Sequence, residues 1–287
     1  MGLNVHILRA ATAAGTGSIS RLIGVHSSKP MAKIILSYTG CDRLLCVFRK
    51  PVWPLLPPLG IRLTILAKLA KMILGGGCMG WNLKDLQETL LIGSTLVEGS
   101  TLSEKEAREI LSGKTVAGHP VSEAREILNY RAAVEWIIRE LKKSPFLSQD
   151  LILGFHAKLF QGFPSEHGRF KASRNFTYLS DGSRYDYEAP GRVEPLIRKW
   201  LERFQGGKDP ISVDEGAWLY HEFQRIHPFD DGNGRIGRIL IAYWFHWKMK
   251  KEFSFFLRDK VEHLQALERA SAGDLALLRQ FFQKRLK

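Results

Sequence analysis

Apolar residues recur at helical spacing along most of the chain after residue 81, and this periodicity restricts the fold more than any other feature. In the stretch from 83 to 99 they occur at Leu83, Leu86, Leu90 and Val97, on one face of a helix. Similar patterns cover 122–143, 147–162, VEPLIRKWLERF and SVDEGAWLYHEFQRIH. The sequence therefore predicts a mostly α-helical bundle whose first helix spans about 83–99.

Capping signals mark where several of these helices begin and end. Gly99 is a typical C-terminal cap for the first helix. Thr101 and Glu104 have the spacing of a capping box, which predicts a short helix ending near Gly113. The hexapeptide EAREIL occurs at 106 and again at 123, but its unequal surroundings favour coincidence over an internal repeat.

A different pattern occupies residues 168–190, which are rich in aromatic side chains. Asp181 and Gly182 lie at the centre of this segment, a pair typical of a two-residue hairpin turn. An isolated hairpin is only marginally stable, so we expect it to pack against the helices.

The N-terminal segment 1–80 differs in composition from the rest of the chain. It carries ten Lys or Arg and one acid, Asp42, and so accounts for +9 of the formal net charge of +13. Residues 81–287 are nearly balanced at +4, which weakens the indication of nucleic-acid binding that a strongly basic chain would give. The odd number of cysteines has no paired spacing and argues against a disulfide framework or a zinc site: Cys41, Cys46 and Cys78.

Three interpretations of 1–80 stay open, and all three treat it as an extension outside the domain at 81–287, with disorder expected. The first is that the segment is a targeting signal, and the second is that 61–74 forms an amphipathic helix at a membrane surface. The third is that the protein starts at Met72 or Met79. Charged residues interrupt the most hydrophobic stretch, so a spanning helix is not expected: Arg62, Lys68 and Lys71.

The segment HPFDDGNGRIGR, residues 227–238, separates two helical patterns. Pro228 disfavours helical geometry in the residue before it, so the preceding helix should end near His227. Glycines in the loop allow backbone amides to converge at the start of the next helix. Arg235 and Arg238, three apart and placed in the first turn of that helix, oppose the helix dipole unless an anion is bound. A polyphosphate fits such a site best, because guanidinium groups bind phosphate oxygens bidentately.

The other polar residues of this loop fit phosphate-transfer chemistry. Asp231 could hold a divalent cation that bridges phosphates, and His227 could act as a general base. Each feature alone is usually structural, since a histidine before proline often only ends a helix. Their conjunction within twelve residues favours a functional site.

HPFDDGNGRIGR resembles the Fic motif, His-x-Phe-x-Asp/Glu-Gly-Asn-Gly-Arg-x-x-Arg, at every defined position. The resemblance extends over about 82–287 and implies the Fic fold, a helical bundle with a β-hairpin flap. It implies AMP transfer from ATP to a target hydroxyl, with His227 as the base, Phe229 as a core anchor and Asp231 as the Mg²⁺ ligand. The implied anion hole consists of Gly232, Asn233 and Gly234, and the outer phosphates would contact Arg235 and Arg238. The implied flap, which clamps the target, consists of Asn175, Phe176, Thr177, Tyr178 and Leu179.

STLVEG, residues 94–99, is similar to the inhibitory pattern of Fic proteins with an N-terminal inhibitory helix, with Ser94, Glu98 and Gly99 at the defining positions. If that helix end abuts the phosphate site, the Glu98 carboxylate should form a bidentate contact with Arg238. His263 departs from the family, where many members carry Tyr near the base pocket.

The resulting hypothesis is a cytoplasmic protein adenylyltransferase that uses ATP and Mg²⁺, modifies Ser, Thr or Tyr of a target protein and is inhibited by Glu98. A homodimer is compatible with the sequence, and no nucleic-acid partner is expected. Removal of AMP from a modified protein and transfer of another nucleotide stay open as alternatives. A nucleic-acid-binding regulator is the alternative from another class.

Overall fold

The computed structural model describes residues 4–8, 19–26, 32–38, 44–48, 90–164, 167–206 and 211–287. The chain divides into two units, Met1–Met79 and Gly80–Lys287. None of the described helices is long and apolar enough to cross a membrane.

The first unit contains an antiparallel sheet in which the strands pair in chain order. Its members are β1 (Asn4–Leu8), β2 (Ile19–His26), β3 (Ala32–Tyr38) and β4 (Leu44–Phe48). These strands differ from the disorder expected for 1–80, and they coincide with aliphatic and β-branched runs, which favour strands. The possible targeting role and the later start stay predictions, and the surface helix at 61–74 lies outside the described residues.

The second unit is mainly α-helical, as the sequence predicts. The described α-helices are α1 (Ile92–Leu96), α2 (Glu104–Leu111), α3 (Val121–Lys143), α4 (Gln149–Leu159), α5 (Pro190–Gly206), α6 (Val213–Ile226), α7 (Asn233–Trp244), α8 (Lys260–Ser271) and α9 (Ala276–Arg285). A π-helical turn, Phe245–Met249, continues α7.

Helix α7 lies at the centre of this unit, and every one of its residues except Gly234 is buried. It contacts α1, α4 and α6, and α3 packs along α4. A helix that is buried on all sides normally carries apolar residues, and α7 supplies Ile236, Leu240 and Trp244 to the core. Its two arginines must therefore find partners inside the protein, since an unpaired buried charge is costly.

Two local predictions need correction. The hairpin of β5 (Phe176–Tyr178) and β6 (Arg184–Asp186) exists, but its turn is longer than two residues, because the Leu179 amide bonds to the Ser183 carbonyl and Gly182 adopts a φ of 80°. The capping box before α2 is formed by Ser103 and Glu106, two residues later than predicted.

Candidate active site

The loop between α6 and α7 begins with a strained residue. His227 ends α6 with a φ of 49°, and among the described non-glycine residues only His227 and Lys250 have a positive φ. This left-handed conformation is uncommon for a residue with a side chain, and such strain is found most often at functional sites. Pro228 follows directly, so the chain leaves the helix at the predicted residue.

Reciprocal hydrogen bonds close this loop on itself. The Asn233 side chain accepts from the Phe229 amide at 2.9 Å and donates to the Phe229 carbonyl at 2.9 Å. The Phe229 ring is fully buried and stacks on His156 with 4.0 Å between ring centroids. Gly232 has a φ of 81°, and a Cβ there would lie 2.7 Å from the Phe160 ring. The Asn233 side chain therefore holds the loop, leaving only its backbone amide for an anion.

The His227 imidazole is held in one orientation. Its ring stacks on Tyr187 with 3.6 Å between centroids and 13° between planes. Nδ1 lies 3.2 Å from the Gln224 carbonyl oxygen. Because a carbonyl can only accept, Nδ1 carries the hydrogen, and Nε2 of the neutral ring keeps its lone pair. Burial, aided by the positive charge of Lys171, lowers the pKa of His227 to about 4, so the ring is neutral at pH 7.

Lys171 joins the hairpin to the loop, and sequence analysis missed it. Its Nζ donates to Asn175 Oδ1 at 2.6 Å and to the Ile226 carbonyl at 3.3 Å. Asn175 in turn donates to the Phe229 carbonyl at 3.0 Å. Burial lowers the pKa of Lys171 to about 8. No signal in the sequence separates this lysine from other basic residues, because its partner at the end of α6, Ile226, lies 55 residues away.

The Arg235 guanidinium contacts two carboxylates, those of Glu126 and Asp231. Its guanidinium donates to Glu126 at 3.0 Å and to both carboxylate oxygens of Asp231 at 3.2 Å, and its side chain is 2% exposed. The two arginines were expected to lie together on the outer phosphates. Instead, Arg235 donates to Glu126 of α3 at one side of α7, and its bonds to Asp231 orient that carboxylate.

Asp231 is accessible to a cation. Its side chain is 68% exposed, although Arg235 and the Gly232 amide contact it. The described residues contain no group of three or more His, Cys, Asp or Glu side chains arranged to hold a metal ion. Mg²⁺ does not need such a group, because it commonly binds through one or two carboxylates together with water and substrate phosphates. A single exposed carboxylate beside the predicted anion site fits that mode.

Arg238 lies in the second turn of α7, one turn later than predicted, and it contacts the segment predicted to be inhibitory. Its Nε donates to Ser94 Oγ at 2.6 Å, and its Nη2 donates to the Ser94 carbonyl at 2.9 Å and to the Glu98 carboxylate. The contact with Glu98 uses one donor and is not bidentate, since Ser94 takes the Nε hydrogen. A Cβ at Gly234 would overlap the Glu98 carboxylate. This carboxylate therefore lies at the start of α7, where the motif predicts a phosphate.

The predicted flap residues divide into two groups. Asn175 is tied to the loop, whereas Phe176 and Tyr178 on β5 are exposed. The tip is anchored where Ser180 donates to Glu268 on α8 through its amide at 3.0 Å and its hydroxyl at 2.7 Å. Thr177, between the exposed aromatic residues, is partly buried, and Leu179 begins the turn.

His263 is a core residue in the structure. It is 3% exposed, and its Nε2 lies 2.8 Å from the Tyr220 hydroxyl oxygen. Burial, aided by the positive charge of Arg238, lowers the pKa of His263.

Comparison with known proteins agrees with the fold and the loop. Residues 146–245 match the Fic/DOC family. This range runs from just before α4 through the hairpin and the loop to the end of α7. The second unit of the chain therefore contains a Fic/DOC domain, and the resemblance inferred from the motif is confirmed.

Similar proteins include protein adenylyltransferases of animals. The chain is 26% identical over 188 residues to protein adenylyltransferase Fic of Nematostella vectensis, covering 63% of this chain and 43% of the relative. It is 30% identical over 154 residues to protein adenylyltransferase Fic of Aedes aegypti, covering 50% of this chain and 29% of the relative. The chain thus spans less than half the length of these relatives.

Solved Fic structures share the fold. A Fic-domain-containing signalling protein from Bacteroides thetaiotaomicron matches with a TM-score of 0.60 at 22% identity, over 69% of this chain and 76% of the other. Fic-1 from Caenorhabditis elegans matches with a TM-score of 0.60 at 23% identity, over 78% of this chain and 63% of the other. The predicted mostly helical Fic fold with a hairpin is confirmed.

Proposed function

We propose that this chain transfers AMP from ATP to the hydroxyl of a Ser, Thr or Tyr side chain in a target protein. The observation that carries the proposal is a histidine whose Nδ1 is held by the Gln224 carbonyl, so that Nε2 is the proton acceptor, on the short loop that leads to the start of α7. The names of the relatives, protein adenylyltransferase, support the same chemistry.

His227 has the properties of the base in this reaction. Its Nε2 accepts the proton of the target hydroxyl while the hydroxyl oxygen bonds to the α-phosphorus of ATP. The bond from the α-phosphorus to the oxygen bridging to the β-phosphate breaks, and pyrophosphate leaves. A neutral imidazole is required at the start, and the low pKa of His227 supplies it at pH 7.

The start of α7 is suited to bind the phosphates. The first amides of a helix lack intrahelical acceptors, and its dipole favours an anion there. Gly232 and Gly234 keep this end free of side chains. Arg238 supplies a guanidinium for the outer phosphates once Glu98 leaves it, and Arg235 holds Asp231 in place. When bound, Mg²⁺ on Asp231 would offset the negative charge of the phosphates.

Glu98 is proposed to inhibit this reaction. Its carboxylate contacts Arg238 and lies against Gly234, so it competes with the γ-phosphate for the same guanidinium. ATP bound beside it would hold the α-phosphate out of line for attack, and misplacement of about 1 Å costs about 10²-fold in rate.

Labelling with radioactive ATP tests the proposal. The full chain with Glu98→Gly, Mg²⁺ and a cell lysate should attach label from the α-phosphate to proteins, release pyrophosphate, and lose this activity when His227→Ala is added. Label from the γ-phosphate alone would contradict AMP transfer. Preference for another nucleotide, or loss of AMP from a premodified protein, would select one of the alternatives, and salt-sensitive DNA binding would favour a nucleic-acid-binding regulator. A cytoplasmic location and a homodimer stay predictions.

A further inference from the structure

Glu98 lies on a short turn between two well-anchored parts of the chain. All five residues of α1, which precedes the turn, are buried. Val97–Gly99 form the turn, in which Gly99 has a φ of 100°. The Glu98 side chain is 32% exposed, in contrast to its partner Arg238 at 3%. A partly exposed glutamate gains conformational entropy when it breaks its ion pair with Arg238. Contacts that fix the backbone on both sides of the turn reduce this gain and so favour the ion pair.

Glu123 holds the chain directly after this turn. Its Oε2 accepts hydrogen bonds from the Ser100 hydroxyl at 2.7 Å and from the Thr101 amide at 2.9 Å. Its Oε1 accepts from the Thr101 hydroxyl at 2.9 Å. Three bonds from two adjacent residues converge on one carboxylate, and a hydrogen bond to a charged group is stronger than one between neutral groups.

A second glutamate extends this contact. The Thr101 hydroxyl oxygen also lies 2.8 Å from His119 Nδ1, and His119 Nε2 lies 3.1 Å from Glu106. Glu106 and Glu123 are the first residues of the two EAREIL segments, and each lies in the first turn of its helix, α2 or α3. The shared sequence thus places two similar carboxylates around the segment that follows Glu98.

Helix α3 also restrains the chain before the turn. The hydroxyl oxygen of Tyr130 lies 2.9 Å from the Arg235 carbonyl oxygen and 3.3 Å from Ser94 Oγ. The carbonyl can only accept, so Tyr130 donates to Arg235, and Ser94 is left to donate to Tyr130. One helix therefore contacts the inhibitory segment on both sides of Glu98, at Ser94 through Tyr130 and at Ser100 and Thr101 through Glu123.

We infer that Glu123 is a positioning residue for inhibition: it fixes Ser100 and Thr101, and thereby keeps the Glu98 carboxylate on Arg238. The inference rests on the proposed AMP transfer and its inhibition by Glu98. Glu123 itself acts only through Glu98. Any release of Ser100 and Thr101 therefore raises transfer when Glu98 is present and has no effect when it is absent.

The test compares labelling from ATP by four full-length proteins: the unchanged chain, Glu123→Ala, Glu98→Gly and the double variant. Glu123→Ala should raise labelling about threefold to fivefold, on the order of one net hydrogen-bond contribution, because water replaces much of what the three bonds supply in this exposed segment. The double variant should label no faster than Glu98→Gly. Hydrogen exchange should be faster at the amides of 98–101 in Glu123→Ala than in the unchanged chain.

Two variants separate this role from a general effect on folding. Glu104→Ala removes a first-turn glutamate of α2 that accepts a hydrogen bond from the exposed Arg108, and it should leave labelling unchanged. Thr101→Val keeps the side-chain shape but removes the hydroxyl bond to Glu123, and it should raise labelling by a smaller factor than Glu123→Ala.

The possible failures can be told apart. Equal labelling by Glu123→Ala and the unchanged chain, while Glu98→Gly labels faster, would overturn the role of Glu123 and leave the inhibition intact. A rise with Glu123→Ala that persists in the Glu98→Gly background would also overturn it, because the effect would not pass through Glu98. No rise with Glu98→Gly itself would overturn the inhibition on which the inference rests, and no label from the α-phosphate in any variant would overturn the proposed AMP transfer.

Discussion

The loop from His227 to Gly232 and the turn Val97–Gly99 both lie beside the start of α7, but they are held there in different ways. The loop is closed mainly by bonds between near neighbours, His227 to Gln224, three residues apart, and Asn233 to Phe229, four apart, and Asn175 adds a bond from the hairpin. The turn depends on distant partners, since Glu98 and Arg238 are 140 residues apart. The loop therefore carries most of its backbone geometry in its own sequence, whereas the position of the turn depends on contacts that can be broken separately.

This difference has a functional consequence. A site whose parts are fixed locally stays assembled when a distant contact is lost, so removal of Glu98 should free the anion site without disturbing the base. Changes in the loop should abolish transfer, and changes in the turn should raise it. The predictions below test that separation.

The largest effect is expected at the base. His227→Ala removes the group that accepts the hydroxyl proton, so transfer should fall by about 10² to 10⁴. Single-turnover labelling from ATP in the Glu98→Gly background would measure the fall, and equilibrium binding of ATP should be nearly unchanged. Transfer close to that of the parent protein would reject His227 as the base.

A smaller loss is expected when the loop is loosened from within. Asn233→Ala removes both bonds to Phe229, so the loop can shift, and transfer should fall by about 10-fold to 10²-fold. Stability should also fall by about 1 to 3 kcal/mol, because buried backbone groups of Phe229 lose a partner. Denaturant unfolding and labelling measured on the same preparation would check both values. A stable protein with unchanged transfer would show that the loop does not depend on this bond pair.

The same contrast explains what the sequence could predict. The end of α6 at His227 was predicted because Pro228 acts on the residue next to it, whereas the bonds between the Asn233 side chain and Phe229 were not predicted from the motif. The contacts of Arg235 do not follow from the motif, because one of its partners, Glu126, lies on another helix. Lys171 was missed for the same reason.

The turn illustrates the limit most clearly. The motif STLVEG predicted a contact between Glu98 and Arg238. It did not predict that Arg238 also donates to Ser94 through Nε and Nη2. Thr101 was assigned to a capping box with Glu104, whereas its hydroxyl contacts Glu123 and His119. Helix starts offer several hydroxyl and carboxylate groups at similar spacing, and tertiary partners decide which of them cap.

An increase is expected when the turn loses its carboxylate. Glu98→Gly frees Arg238 for the γ-phosphate and should raise labelling by at least about tenfold, on the order of 1.4 kcal/mol of released competition. Labelling of target or of the chain itself would measure it, with melting temperatures to show that both proteins are folded. Equal labelling by folded wild type and Glu98→Gly would reject inhibition and leave the interpretation of the loop intact.

The smallest effect concerns pH, and it tests whether the loop keeps its own electrostatics when the turn is altered. Burial and Lys171 lower the pKa of His227 to about 4, so the neutral base is lost only as pH falls through about 4. Between pH 7.5 and 5.5 its titration should therefore change kcat/KM by less than about twofold, whereas an ordinary histidine with a pKa near 6.5 would lose about tenfold. The negative charge of Glu98 opposes this lowering of the His227 pKa, so in Glu98→Gly the acid limb of the kcat/KM profile should move to lower pH and never to higher pH.

The profile is best measured on Glu98→Gly, with ATP affinity determined at each pH to separate binding from catalysis. An acid limb near 6.5 in that protein would mean that the loop loses its buried, neutral histidine when the turn is released, and would break the separation between the two regions.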